Sequence, residues 1–451
     1  MSRRDFLGLA ALSVPVLAGV AACSSSSPSQ PGAAGGSGSA TGAGGATGTA
    51  TYWFLTAQPQ QGIRERSVKA YNASSSKGKI SYTEFANDAY KTKIKTAIGA
   101  GQAPTIIWGW GGGGLRSYVQ ASQVDDLTSW FDQNPDVKNR LFPSSFGAAT
   151  IDGKIYAMPA EAVQPIILYY NKKVLDKVGV QPPQSWGDIL DMVPKINAKG
   201  IAPFSLGGQS RWTNMMWLEF LFDRIGGSEV FQAVFDGQQN AWSNPAAIQG
   251  LTECQKLIKA NGFIKGFASI TADSNADQAL LYTGKAAMML HGSWTYGNMK
   301  SSGGDFVTGG HLGWMNFPPV DGGKGDPSDT VGNPGQYLSI SSKASDAQKQ
   351  IALDYFKNGV LADAEVKEWI QTGSVPIVKS ASSQLSSAED DTPFLQFIYD
   401  TSSKAKVFAQ SWDQALSPTA AEVLLDNISK LFALSVSPQQ FANNMNAVIG
   451  K

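Results

Sequence analysis

The sequence predicts an α/β fold built on a mostly parallel sheet, and three observations support this prediction. Short apolar runs rich in β-forming residues occur at 51–54, 80–85 and 105–108. Segments with helical spacing of their apolar residues separate these runs, at 63–72 and 89–100. Apolar residues make up 42% of the chain and charged residues 16%, which suits a protein with a large core. Strands that alternate with helices are typical of parallel sheets covered by helices.

Residues 1–22 are predicted to be an export signal. Arg3 and Arg4 form a twin-arginine pattern, and the apolar run behind them is interrupted by Pro15 and too short for a spanning helix. Small residues then precede Cys23, as in a lipobox, so Cys23 is the expected site of lipidation. The pattern leaves open whether export follows the twin-arginine or the general route.

Residues 23–50 are predicted to be the lipid anchor cysteine and a flexible linker. The stretch after Cys23 consists of Ser, Gly, Ala, Thr, Pro and Gln, without a charge or an aromatic ring. Such a chain behaves as a random coil that reaches roughly 30 Å. We therefore expect an exported protein that is anchored through lipid to the outer face of the cytoplasmic membrane.

The composition excludes several classes of function. Lys plus Arg equals Asp plus Glu, at 36 each, so the basic excess of a nucleic-acid binder is missing. The chain has two His and two Cys, which argues against a Cys/His metal site. Neither a phosphate-binding loop nor a dinucleotide fingerprint occurs. We therefore predict no cofactor and no metal. Cys254 is expected to be a buried small hydrophobe.

Five motifs occur in an order that resembles a known family. The motifs lie at 90–106, 153–159, 168–172, 182–188 and 284–294. The sequence departs from the family's usual residues at three positions: Thr105 stands in place of Asp, and Ser185 and Asp188 stand in place of Thr and Glu. Together they resemble the extracellular solute-binding proteins of ABC transporters, in the carbohydrate-binding group, from about residue 51 to the end.

This resemblance implies a periplasmic-binding-protein-like fold of two α/β lobes with crossing hinge strands, at 159–162, 288–292 and 339–342. The implied lobes are 51–161 plus 289–340 for lobe 1, and 162–288 plus 341–451 for lobe 2. It also implies a monomeric binder that captures a sugar by hinge closure and delivers it to the permease subunits of an ABC transporter.

The expected ligand-binding residues follow from the chemistry of a sugar, which has an apolar face and a rim of hydroxyl groups. Ligands of α/β sheets bind beyond the carboxyl ends of strands, where tryptophans beside Gly, Ser or Pro and several polar residues occur. The expected set is Trp110, Trp212, Trp294 and Trp412 for stacking, and Asn87, Asp88, Glu161, Gln336 and Asp413 for the hydroxyls. Several such tryptophans suggest an oligosaccharide. His291 is expected to be a satisfied core or hinge histidine.

Two other functions stay open at this point. A surface-anchored glycosidase would need two carboxylates across an aromatic site, and Asp88, Glu161 and Asp413 could supply them. A binder of another solute, such as a polyamine, metal or peptide, would use the same lobes with different polar groups. Each carboxylate could also be a helix cap or a surface ion-pair partner. We expect a binding protein and not an enzyme.

Overall fold

A computed structural model describes residues 48–450 of the chain. The predicted signal, the lipidation site at Cys23 and the linker before residue 48 lie outside this range. The strands are β1 Thr49–Leu55, β2 Lys79–Phe85, β3 Ile106–Gly109, β4 Thr150–Ile151, β5 Lys154–Ile155, β6 Met158–Ala160, β7 Ala162–Asn171, β8 Ala202–Phe204, β9 Ala286–Gly292, β10 Leu312–Met315, β11 Thr330–Asn333, β12 Gln336–Ile340, β13 Val375–Pro376 and β14 Phe408–Gln410.

The helices lie between and beyond these strands. They are α1 Gln60–Ser74, α2 Asn87–Gly99, α3 Gly112–Gln120, α4 Thr128–Gln133, α5 Pro135–Arg140, α6 Lys172–Val178, α7 Trp186–Asn197, α8 Trp212–Gly226, α9 Ser228–Phe235, α10 Pro245–Lys259, α11 Ala276–Tyr282, α12 Thr295–Ser302, α13 Asp346–Asn358, α14 Asp363–Gln371, α15 Ala381–Gln384, α16 Thr392–Ser403, α17 Trp412–Ala415, α18 Pro418–Phe432 and α19 Pro438–Asn446.

The first sheet has five strands in the order β2-β1-β3-β12-β6. Strand β1 is parallel to β2 and β3, whereas β12 is antiparallel to β3 and β6. Tyr52 of β1 pairs with Tyr82 and with Ile106, which sets the register of the three parallel strands. The carboxyl ends of these three strands therefore lie at one edge of the sheet.

The second sheet follows the order β14-β11-β7-β9-β8, and β10 and β13 also pair with β7. Strand β7 is apolar on both faces except at Gln164 and Asn171, as expected for a strand that is covered on both sides. Ile167 and Tyr169 belong to one hydrophobic cluster, while Ile166 and Leu168 belong to the other. Strand β7 is thus shared by the two cores.

The two-lobe α/β prediction is confirmed, but the sheets are mixed where a mostly parallel one was expected. The chain leaves the first sheet at Glu161, between β6 and β7, and returns to it at Pro334 and Gly335, between β11 and β12. A strand that enters from the other lobe runs against its neighbours, which explains the antiparallel pairs. The return was expected at 288–292, but β9 and β11 both belong to the second sheet, although Tyr296 and Met299 of α12 pack in the first cluster. The crossing into the other lobe that was expected at 339–342 begins inside β12, which belongs to the first sheet.

The packing of the C-terminal third differs from the predicted lobes. Residues 341–451 were expected in lobe 2, yet Ile351, Trp369 and Phe394 are buried in the first cluster with the first sheet. Residues from Trp412 onwards pack in the second cluster. The division that the family resemblance implied does not hold for this segment, because helices α13 to α16 carry apolar faces that either core could have buried.

Helix α8 is the centre of the second core. Every residue after Trp212 is buried, including the charged residues Glu219, Asp223 and Arg224. Cys254 of α10 is buried in this cluster, as predicted, and burial raises the pKa of its thiol. Within residues 48–450, α8 and the other helices are all too short or too polar to cross a bilayer.

Glu365 of α14 is a buried carboxyl group in the first core. It accepts hydrogen bonds from Ser67 Oγ at 2.9 Å, the Leu361 amide at 3.0 Å and Trp369 Nε1 at 3.1 Å. Burial raises its pKa from 4.5 to about 7, although the three donors act in the opposite direction. The native state therefore holds this proton more tightly than the unfolded chain does.

We expect Glu365→Gln to change how stability depends on pH. A raised native pKa stabilises the fold below the unfolded value of 4.5, and this contribution is lost as the pH rises through about 7. Between pH 4.5 and pH 8, the wild type should therefore lose about 3 kcal/mol of unfolding free energy relative to the variant.

Denaturant unfolding at several pH values measures this difference. Glu368→Gln is the matched control, because Glu368 lies on the same helix but pairs with Arg66 at the surface. A wild-type-minus-E365Q difference that stays constant across the range would contradict the prediction.

Candidate functional site

A cleft of about 1080 Å³, including its open mouth, lies between the two lobes. From the first lobe it is lined by the segments that follow β1, β2 and β3, which is where ligands of such sheets bind. From the second lobe it is lined by the start of α8, the segment 272–278, the end of β9 and residues 411–414. Gln164, Asn333 and Gln336 line it beside the crossings.

One wall of the cleft is an aromatic corner, formed by Trp212, His291 and Trp294. Trp212 lies 6.1 Å from Trp294 between ring centroids, and His291 lies 5.4 Å from each of them. Gly292 makes this arrangement possible, because a Cβ there would lie 1.8 Å from the Trp294 ring. The corner offers flat apolar surface to a ligand.

Trp110 forms the facing aromatic wall, from the first lobe. Its ring lies 4.7 Å from that of Trp108 in an edge-to-face arrangement, and Lys91 Nζ lies 5.1 Å from its centroid. Gln410 Nε2 donates to the Trp110 carbonyl at 2.6 Å, so a residue of the second lobe helps to fix this wall.

Amide side chains form a polar group beside the crossings. Gln164 Oε1 accepts from Asn333 Nδ2 at 2.9 Å and from Gln336 Nε2 at 2.6 Å. Gln336 Oε1 is buried and has no partner, and the same holds for Gln278 Oε1 and Trp212 Nε1. Buried polar atoms are normally hydrogen-bonded, so these acceptors and this donor suit the hydroxyl groups of a ligand.

His291 is buried, as expected for a core or hinge histidine, but it also lines the cleft. Its Nδ1 accepts from the Gly292 amide at 2.9 Å. Its Nε2 lies 3.3 Å from Asp277 Oδ2, yet the geometry is not that of a hydrogen bond and both atoms are left without a partner.

Further contacts join the lobes across the cleft. Lys91 Nζ lies 2.9 Å from Asp413 Oδ2, and the Asp88 amide donates to Asp273 Oδ2 at 3.0 Å. Partial burial and the nearby Asp273 carboxylate raise the pKa of Asp88. Asp88 does not line the cleft, while its neighbour Asn87 does.

Glu161 was predicted to bind ligand, but its carboxylate is fully used within the protein. It accepts from Arg64 Nε and Nη2, both at 2.7 Å, and from Trp108 Nε1 at 2.7 Å. Burial alone would lower the pKa of Arg64, but Glu161 outweighs it and the pKa is raised. Glu161 is 3% exposed and does not line the cleft, so it lies behind the lining residues Arg64 and Trp108 and supports them.

Trp412 was also predicted to contact ligand, and it is fully buried in the second core. Its ring stacks on Phe231 at 4.6 Å and lies 5.1 Å from Trp242. Its amide donates to Glu219 Oε1 at 2.7 Å, and burial raises the pKa of Glu219 well above the ordinary value. Trp412 therefore anchors the segment that places Asp413 and Gln414 in the cleft.

The cleft thus contains six of the nine predicted residues, and sequence reasoning missed others. The six are Asn87, Trp110, Trp212, Trp294, Gln336 and Asp413. The missed lining residues include Gln60, Arg64, Gln164, Asp273, Gln278 and Asn333. A signal existed for Gln164, since a polar residue inside an apolar strand needs a partner.

The carboxylates that a glycosidase would need are not free. Glu161 is paired with Arg64, Asp413 with Lys91, and Asp88 lies outside the lining of the cleft. Within the part of the chain that the structure describes, no three His, Cys, Asp or Glu side chains are grouped as ligands for a metal ion.

Comparison with known proteins gives the following relatives. An uncharacterised ABC transporter extracellular-binding protein of Pyrococcus horikoshii is 26% identical, over 47% of each chain. A probable sugar-binding periplasmic protein of Mesorhizobium japonicum is 26% identical, over 52% of this chain and 54% of its own. This chain therefore spans about half the length of the curated relatives that it matches.

A solved structure from work on xylan utilisation by Caldanaerobius polysaccharolyticus is also similar. It has a TM-score of 0.80 and 29% identity, and the match covers 89% of this chain and 100% of that one. The family described as bacterial extracellular solute-binding protein matches residues 56–366, which is more than half of the chain. The protein therefore belongs to the bacterial extracellular solute-binding protein family.

Proposed function

We propose that this protein captures an oligosaccharide in the cleft between its lobes and delivers it to the permease of an ABC transporter. The observation that carries the proposal is the cleft itself. Indole rings from both lobes, at Trp110, Trp212 and Trp294, face one space that also holds buried polar atoms without partners. Flat apolar surface combined with such atoms suits a ring with an apolar face and a hydroxyl rim.

The charges in the cleft favour a neutral solute. Arg64 is neutralised by Glu161, and Lys91 by Asp413. Asp273 accepts the Asp88 amide. A polyamine would need a cluster of free carboxylates, so these pairs count against that alternative.

The known relatives agree with this proposal. The Mesorhizobium protein is described as a probable sugar-binding periplasmic protein, and the Caldanaerobius structure comes from work on xylan utilisation. The family consists of solute-binding proteins, which supports a binder in place of an enzyme.

Closure of the two lobes is the proposed mechanism of capture. A ligand that contacts both lobes at once stabilises the closed state, because it binds that state better than the open one. The Lys91–Asp413 pair joins the lobes beside Trp110 and would strengthen the same state. The closed monomer then docks on the permease, while a lipid on Cys23 holds it at the membrane.

We expect isothermal titration of residues 48–451 to identify an oligosaccharide ligand. The panel consists of mono-, di- and trisaccharides of the xylose, glucose and N-acetylglucosamine series. Tight one-to-one binding of an oligomer, with little heat from its monomer, is expected because the cleft has aromatic walls on both sides. Equal affinity for the monomer would contradict an oligosaccharide site. If folded protein gives no binding heat with any sugar of the panel, the sugar proposal is overturned.

Substitutions of the wall tryptophans should weaken sugar binding. Trp212→Ala and Trp294→Ala are each expected to raise the Kd by about fivefold or more, because truncated anchors at binding sites cost over ~1 kcal/mol. Trp130→Ala is the control, since Trp130 packs on Phe131 and Phe356 away from the cleft. Titration of folded variants checks this, and an equal loss in all three would point to general destabilisation.

The proposed anchor can be tested separately in cells. Cys23→Ala removes the thiol that would carry the lipid, so the variant should move from the membrane fraction to the soluble exported fraction. Fractionation followed by immunoblotting measures the distribution, with the wild type and Cys254→Ala compared in parallel. A variant that stays in the membrane fraction like the wild type would contradict lipidation at Cys23.

A further inference from the structure

A second cavity, of about 740 Å³, adjoins the cleft between the lobes. We call it the apolar chamber; it lies among helices α2 and α3 of the first lobe and the segment from α17 to α18 of the second. Trp110, Lys91 and Asp413 line both cavities, so they lie at the junction of the cleft and the chamber.

The walls of the chamber differ from those of the cleft. The cleft is edged by amides and paired charges, whereas the chamber is mainly surrounded by apolar and aromatic side chains. These include Tyr90, Ile94, Leu115, Tyr118, Leu416 and Ala421. Such a surface offers little to a bare hydroxylated ring, which would lose its hydration there without new hydrogen bonds.

Two polar atoms in the lining of the chamber lack partners. Tyr337 is 1% exposed, and its hydroxyl group makes no hydrogen bond. Gln414 Oε1 is a buried acceptor without a partner, and Gln414 lines both cavities. An occupant that is apolar and carries one or two oxygen atoms would match this lining, because the Tyr337 hydroxyl can donate to such an oxygen.

We propose that the cargo is an oligosaccharide that carries an uncharged aryl or acyl group, and that this group lies in the apolar chamber beyond Trp110. The inference rests on the proposed sugar-binding function and adds a second recognition element to it. Burying the apolar group contributes affinity in proportion to the area removed from water. Because both lobes line the chamber, the group also stabilises closure.

Matched pairs of ligands test this proposal. Xylobiose, cellobiose and chitobiose are each compared, by isothermal titration, with their 4-nitrophenyl β-glycoside and with a mono-O-benzoyl ester on the non-reducing unit. These two derivatives place the apolar group at either end of the sugar. For the disaccharide that binds, one derivative should bind about tenfold more tightly than its parent.

Gly114 allows the chamber to be filled without disturbing the cleft. It lies on α3 in the lining of the chamber, and a Cβ there would meet no atom within 4 Å. Gly114→Phe should therefore abolish the tenfold gain while the parent disaccharide keeps its affinity. Gly99→Phe is the matched control, because a Cβ at Gly99 on α2 also meets no atom and Gly99 does not line the chamber.

The outcomes separate the two proposals. If a disaccharide binds but neither derivative exceeds it by more than about twofold, the chamber proposal fails and the sugar proposal stands. A gain that persists in G114F assigns the aryl or acyl group to another surface and also overturns the chamber. Folded protein that binds none of the sugars or derivatives overturns both.

Discussion

The buried pair of Arg64 and Glu161 is the contact on which the first lobe and the crossing both depend. Glu161 lies between β6 and β7 with a φ of 63°, a conformation that costs a non-glycine residue energy. Its carboxylate receives two bonds from Arg64 and one from Trp108, and its carbonyl accepts the Ile377 amide. A buried charge without these partners would be strongly destabilising. The carboxylate of Glu161 therefore fixes both Trp108 at the cleft and the course of the chain between β6 and β7.

The polar groups of the cleft are likewise mostly paired charges or uncharged amides. Glu161 neutralises Arg64, the residue of α1 whose charge lies at the cleft, and the region beside the crossings is built from the amides of Gln164, Asn333 and Gln336. Amides donate and accept without a net charge, so they can bind either side of a hydroxyl group. A lining whose charges are mostly paired and whose other polar groups are mostly amides matches the neutral cargo proposed above.

Local sequence patterns gave the elements of the first lobe and the ends of its strands, because period and turn signals are local properties. The same logic placed Trp110, Trp212 and Trp294 at the cleft. It failed for Trp412, whose flanking Ser and Pro resemble a loop but whose ring is covered by Phe231 and Trp242 from distant segments. The lobe assignment of α13 to α16 failed for the same reason. Long-range packing decides which core receives an apolar face, and no local pattern records that choice.

The length of β7 has a mechanical consequence. The ten extended residues Ala162–Asn171, at roughly 3.3 Å each, make a rod of about 30 Å that follows directly on Glu161. A rotation of about 10° at one end of such a rod displaces the other end by about 5 Å. That displacement exceeds the length of an ion-pair contact such as the 2.9 Å between Lys91 and Asp413. A small backbone rotation near Glu161 would therefore be enough to break contacts of this length between the lobes.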